Sequence, residues 1–385
     1  MKVLLLVAHG LNAGYVGCYG NEWVSTPQLD QLAAEGIVFD QHFADHPDAN
    51  CPCQFSLTEG HRTSAPASAQ PTHDPFRDPK IVTVLLRTSN LAARTEAESH
   101  WTRSETIEVA DDAEENLSNL AERISDTLND LRRKSHCLVR VDIGSLIPPW
   151  NPLPSKHEEY QRIEMGNDTE DDEEGKSEEE SADKMASPED GISENQILYA
   201  SAVTSLDQCL ELLFKDKRTS RILADMLIMV TSFRGQDIGE IAPFRKWTIP
   251  LLHEELVHVP LIVRMPGGSN AGRRVSARTQ PVELVPTLLD ALGLSGRELH
   301  GHSLLPLIEG KTESIHEYAF SWARIGETNS WALRTKDWCL LRAESPDNPK
   351  SYLFKNPEDR WEVNDVSGLF PEIVEGLEAT MKQFI

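Results

Sequence analysis

The segment VTSFRGQDIGE, residues 230–240, joins the end of an apolar run to a glycine-bearing turn. The run before it, 226–230, reads as a buried strand. The C-terminal end of such a strand is where an α/β sheet usually places its site, and Gly235 and Gly239 allow backbone to approach closely there. Yet the side chains best placed for chemistry are Phe233, which has no donor atom, and Arg234, a permanent cation. Elsewhere, Cys51 and Cys53 flank Pro52. The pair admits three readings: a soft-metal site, a redox couple, or plain loop thiols, since no matching pair occurs elsewhere. His253 and His258 flank an apolar run at 259–266, and His300 and His302 sit two apart around Gly301 without a third ligand. The latter two read as surface residues. His9, after the first apolar run, is either a polar group of the site or a satisfied histidine at a strand end.

The elements that must position these residues alternate along the chain. Residues 3–8 read as a first strand. In STPQLDQLAAEGIVF, Thr26 suits a cap, Pro27 the first helical position, and Leu29, Leu32 and Ala33 an apolar face. Gly36 ends that helix and 37–39 starts an extended run. Residues 65–80 are polar and loop-like, 114–133 an amphipathic helix, and 137–143 a strand before the PPWNPLP loop. A long helix is expected at 194–215, strands at 225–231 and 259–266, and a helix at 281–294. Short strands then precede a terminal helix at 371–383.

The chain has 385 residues and a formal net charge of −25, a balance that argues against nucleic acid or an anionic membrane as partner. Residues 168–183 hold ten acids and one lysine, too little apolar surface to offset ordering entropy. The expectation is an acidic disordered insertion at 161–192, with no EF-hand spacing in it. No apolar run approaches the roughly 20 residues of a membrane span. The run at 3–8 is short and lacks a small-residue cleavage site, so a cytoplasmic protein is expected. The six cysteines are then expected as free thiols.

Several blocks resemble the sulfatase family, which shares its fold with alkaline phosphatases. They are GCYGNEWVSTPQLDQLAAEGIVFDQHFA (17–44), LYASAVTSLDQCLELL, LHEELVHVPLIVRMPGG (252–268), VELVPTLLDALGL, GHSLLPLIEG and the C-terminal LRTKDWCLLR…YLFKNPEDRWEVND. They are spread from end to end, whereas 65–135 diverges. The resemblance implies an alkaline-phosphatase-like α/β/α sandwich with a mostly parallel central sheet over 1–300. A small C-terminal antiparallel sheet with a terminal helix follows over 301–385.

The resemblance also implies a chemistry: a divalent cation, usually calcium, orients a formylglycine made from cysteine or serine, and basic and imidazole groups balance the sulfate. The family's two adjacent aspartates after the first strand fall on His9 and Gly10. Its C-x-P-x-R falls on 50–54, with Asn50 for the nucleophile and Gln54 for the arginine. Its HxPW histidine falls on Ile147, and its second ligand pair on Phe233 and Arg234. Lys246 matches a sulfate-binding lysine or is a solvated loop residue.

No catalytic position is intact and no cofactor is expected, because the calcium ligands are not retained. The expected function is a non-catalytic pseudo-sulfatase that acts by binding. The alternatives are an active sulfuric ester hydrolase with a non-standard site, using a thiol at Cys51 or Cys53, or a structural partner of an active paralogue. Arg234, Lys246 and His9 are the candidates for an anion pocket, with a small sulfated or phosphorylated ligand or a protein as partner. The competing reading pairs Arg234 with Asp237 or Glu240 while Phe233 fills the emptied cavity.

Overall fold

Strand β1, Lys2–Ala8, is buried on both faces, as an interior strand must be. Leu4, Leu6 and Ala8 join one apolar cluster, and Val3, Leu5 and Val7 join another on the opposite face. In this computed structural model the described residues are 1–47, 76, 78–91, 101–167, 192–239, 252–294, 301–325, 328–345 and 348–384. Asn50, Cys51, Cys53, Gln54, Glu240, Lys246 and His300 lie outside them, as does most of the acidic segment.

Around β1 stand β2 (Ile37–His42), β3 (Val82–Thr88), β4 (Arg103–Ile107), β5 (Cys137–Ile143), β6 (Met226–Thr231), β7 (Leu261–Arg264) and β8 (Arg273–Thr279). Their order in the sheet is β4-β3-β5-β1-β6-β7-β2-β8. All neighbours run parallel except β7, which is antiparallel to both β6 and β2. One face is covered by α1 (Pro27–Ala34), α2 (Ala113–Asp130) and α4 (Glu194–Lys215), and α3 (Pro154–Asn167) adds Tyr160 to the same cluster. On the other face lie α7 (Leu284–Ala291) and α8 (Leu305–Ile308). Short helices α5 (Ser220–Ala224) and α6 (Glu254–Val257) flank β6 and β7. By length and composition α4 is apolar enough to cross a membrane, but 72% of its most apolar window is buried, as in a core helix. The mostly parallel α/β/α sandwich expected from the sequence is present.

A separate antiparallel sheet, ordered β12-β11-β10-β9, is formed by Ala319–Ile325 (β9), Thr328–Arg334 (β10), Trp338–Ser345 (β11) and Asn348–Lys355 (β12). The terminal helix α9, Pro371–Met381, packs on one face of it through Met381 and the half-buried Ile373, Val374 and Leu377.

Three sequence expectations change. The insertion does not begin at 161: α3 runs on to Asn167, anchored where the Tyr160 hydroxyl meets Thr204 at 2.7 Å and accepts from the Ser25 amide at 2.8 Å. Thr26 stands at the N-cap of α1, but its hydroxyl accepts from Gly17 instead. The helix is capped from α4, where the Asp207 carboxylate accepts from the amides of Gln28 and Leu29 at 2.9 Å each. Finally, 281–294 opens as a 3-10 turn, Pro281–Glu283, before the α-helical part.

Candidate functional site

The ends of β1, β5 and β6 lie side by side, with Ala8 in register with Ile143 and Val7 with Thr231. The loops leaving them are joined by backbone hydrogen bonds. His9 donates to the Ile143 carbonyl at 2.9 Å, and Gly10 donates to the Arg234 carbonyl at 3.2 Å. Gly10 is left-handed, with φ of 93°, and a Cβ there would lie 2.6 Å from the Leu146 carbonyl oxygen. No side chain fits at Gly10 without moving the β5 loop.

Asn12 and Tyr199 close the floor. The Tyr199 hydroxyl donates to the Gly10 carbonyl at 2.6 Å and accepts from the Asn12 amide at 2.9 Å. The Asn12 side chain grips Gln236 through both atoms, accepting from its amide at 2.6 Å and donating to its carbonyl at 3.0 Å. Gly235 lies between them; a Cβ there would meet the Glu255 carbonyl at 2.0 Å. The glycine that suggested close approach at the turn therefore receives backbone from this chain itself.

Phe233 is buried, 4% exposed, in the core cluster that holds α7. Its ring meets His9 edge-on at 5.9 Å, and the Arg140 guanidinium lies 5.1 Å from its centroid. Arg140 and Asp142 are two apart on β5 and so share a face. The Arg140 Nε donates to Asp142 Oδ1 at 2.7 Å, and His9 Nε2 lies 3.7 Å from that oxygen. Burial raises the Asp142 carboxyl, but the Arg140 guanidinium and His9 outweigh it and hold the group below its ordinary value. This pair escaped the sequence reading, which took 137–143 only as a strand. Its signal was an arginine and an acid two apart inside an otherwise apolar strand.

His9 thus faces Asp142 in the interior, 2% exposed, and is not a wall of an open anion pocket. Arg234, next to Phe233 in sequence, is half-buried, with its carbonyl taken by Gly10 and by the Ser232 hydroxyl at 2.5 Å. Ile147 is half-buried in the turn after β5, its amide donating to Gly144 at 3.0 Å. Trp150 in the same loop donates to the Leu146 carbonyl at 3.0 Å. Calcium takes six to eight oxygen ligands, about half a dozen or more. The matched described positions supply instead an imidazole, a bare glycine, a phenyl ring and a guanidinium, and the carboxylate of Asp142 is already bonded to Arg140. These residues do not fit a calcium ion. Among the described residues no group of three or more His, Cys, Asp or Glu could hold a metal.

A second buried polar cluster joins the small sheet to the main body. The Glu362 carboxylate meets Arg334 at 2.5 Å, His253 at 2.9 Å, the Glu254 amide at 3.1 Å and the Cys339 thiol at 3.1 Å. His253 is therefore an interior residue bonded to the C-terminal segment through Glu362, and His258 spans the Glu254 carboxylate and the Asp40 carbonyl at 2.8 and 2.9 Å. His302 is exposed, as expected. On the other face of the main sheet a pocket of about 90 Å³ opens among Thr88, Asn90, Asn116, Ser145, Asn151 and Ser205.

The family description "Sulfatase" matches residues 2–294, and "N-sulphoglucosamine sulphohydrolase, C-terminal" matches 239–384. Arylsulfatase K of Danio rerio is 26% identical over 204 residues, 51% of this chain and 38% of the relative. N-acetylglucosamine-6-O-sulfatase of Bacteroides thetaiotaomicron is 29% identical over 178 residues, 44% of this chain and 29% of the relative. The matches span well under half the length of these relatives. Among solved structures, phosphonate monoester hydrolase of Agrobacterium radiobacter superposes with a TM-score of 0.70 at 16% identity, covering 100% of this chain and 95% of that one. A protein in complex with its substrate D-glucosamine-2-N,6-O-disulfate also gives 0.70 at 16%, covering 99% and 97%. At such identities these two show the shared fold alone.

Proposed function

The chain belongs to the sulfatase family, and we propose that within it this protein works by binding and does not turn over a sulfate ester. The observation that carries this reading is the packing at the matched ligand positions. Gly10 has no room for a side chain, and Phe233 is buried against Arg140 and His9. A sulfatase mechanism needs carboxylate oxygens at those places to hold its cation and orient a nucleophile. The matched nucleophile position, Asn50, offers neither the thiol nor the hydroxyl that formylglycine requires.

The ligand in this reading carries a sulfate or phosphate group. Arg234 provides a guanidinium whose fork suits those oxygens, and Lys246 is the second cation of the set. His9, buried 3.7 Å from Asp142, lies beneath the anion in this reading and does not touch it.

Two measurements test the proposal. Generic aryl sulfates should show no turnover after coexpression with a formylglycine-generating enzyme, and an aldehyde at Cys51 or Cys53 by mass spectrometry would end the non-catalytic reading. Titrating sulfate should raise the melting temperature of the wild type more than that of Arg234→Ala. An equal rise in both, or none in either, removes Arg234 from the binding site.

A further inference from the structure

Resting on the non-catalytic reading above, we infer that Arg140 is a built-in cation: its guanidinium balances the buried centre where the family would use a divalent ion. The two matched ligand positions with buried side chains, His9 and Phe233, both converge on the Arg140–Asp142 pair. His9 Nε2 lies 3.7 Å from Asp142 Oδ1, the oxygen that accepts from Arg140 at 2.7 Å. Phe233 lies under the guanidinium at 5.1 Å. Arg140, Asp142 and His9 are each 2% exposed or less.

The residue types follow from that role. A carboxylate this deep needs a cation beside it, because water cannot screen it. A guanidinium is weakly hydrated and planar, so it tolerates burial and lies well over an aromatic face. An aspartate at 233 would add a second carboxylate to share that cation; phenylalanine gives it a π face and adds no charge. Arg87, 6% exposed, stands in register with Asp142 on β3, so a second guanidinium belongs to the same buried row. Because the cation is covalently part of the chain, chelators cannot remove it.

The test compares melting temperatures of the full chain as wild type, Arg140→Ala and Arg140→Ala/Asp142→Asn, each in excess chelator and in millimolar calcium chloride. The wild type should be indifferent to chelator and to calcium. Arg140→Ala should melt well below it, because the Asp142 carboxylate is left buried without the guanidinium bonded to it. The double variant, which removes that charge, should recover part of the loss. If Arg140→Ala is unfolded, the readout becomes recovery of folded protein on refolding, expected for the double variant and not for the single one. A wild type that loses stability in chelator, or a double variant no more stable than Arg140→Ala, overturns the inference. Turnover by the wild type would instead remove the non-catalytic reading and leave these melting temperatures as they are.

Discussion

Gly10 lies against Leu146 so closely that a Cβ on the first would stand 2.6 Å from the carbonyl oxygen of the second. The contact joins the loop after β1 to the loop after β5, and it fixes glycine at a position that the sequence resemblance matches to an aspartate. Gly10→Asp should therefore destabilise the fold. The left-handed backbone alone costs about 1–2 kcal/mol for a residue with a Cβ, and the steric contact adds roughly 1–3 kcal/mol. Urea unfolding should show a loss above about 2 kcal/mol, with no gain of bound calcium by elemental analysis. A variant as stable as wild type would mean that the β5 loop yields freely.

Tyr199→Phe removes a hydroxyl that bridges the Gly10 carbonyl and the Asn12 amide. Both backbone groups are buried and lose their partner in the variant, at a cost of about 1–3 kcal/mol. Chemical denaturation of the two proteins under identical conditions measures the difference. Because Asn12 is what holds Gln236, hydrogen exchange at the Gln236 amide should also quicken.

Burial raises the Glu362 carboxyl, but Arg334, His253 and Cys339 outweigh that and bring it to about 2. A depressed carboxyl contributes stability that is present above its unfolded value near 4.5 and is lost as pH falls through about 2. Glu362→Gln leaves Arg334 buried without its counter-charge and should cost about 3–5 kcal/mol at neutral pH. Its unfolding free energy should fall less steeply than that of wild type between about pH 5 and pH 2. Matching acid profiles would exclude Glu362 as the group responsible.

His316 Nε2 lies 2.9 Å from the Glu283 carboxylate, and that hydrogen bond raises its pKa despite the partial burial that opposes it. A raised histidine stabilises the fold fully below the unfolded value of 6.5, and that contribution disappears as pH climbs through the higher folded value. Stability should thus decline as pH rises from about 6.5, and His316→Gln should flatten the decline. Melting curves across that window, with the variant in parallel, provide the check.

The legible parts of the fold were those whose local signals agree with tertiary packing. β1 and β6 are mostly apolar runs buried on both faces, β5 is apolar but for Arg140 and Asp142, and α1 and α4 have caps or proline where chain direction changes. The region spanning β3 and β4 lacked the family's blocks, and α3 was obscured by the acidic composition that begins just after it. At the site, the residue types at His9, Gly10, Phe233 and Arg234 were legible one position at a time. Their buried partners were not, because Arg140 meets Phe233 only after β5 and β6 take places on either side of β1. The cluster around Glu362 was hidden for the same reason: His253 and Glu362 are 109 residues apart.

The interlocked loops also constrain which sequences can be reached from this one. Aspartate at 10 collides with Leu146 until the β5 loop shifts, and that loop is held in turn by Trp150 and by the Gly144 turn. Aspartate at 233 empties core volume and crowds a second acid against the one that Arg140 already serves. Each such substitution, taken singly, should give a less stable protein, so the route to a carboxylate-lined centre climbs before it descends. The centre behaves as an interlock: a set of carboxylates could enter it only through several coordinated changes in three loops at once.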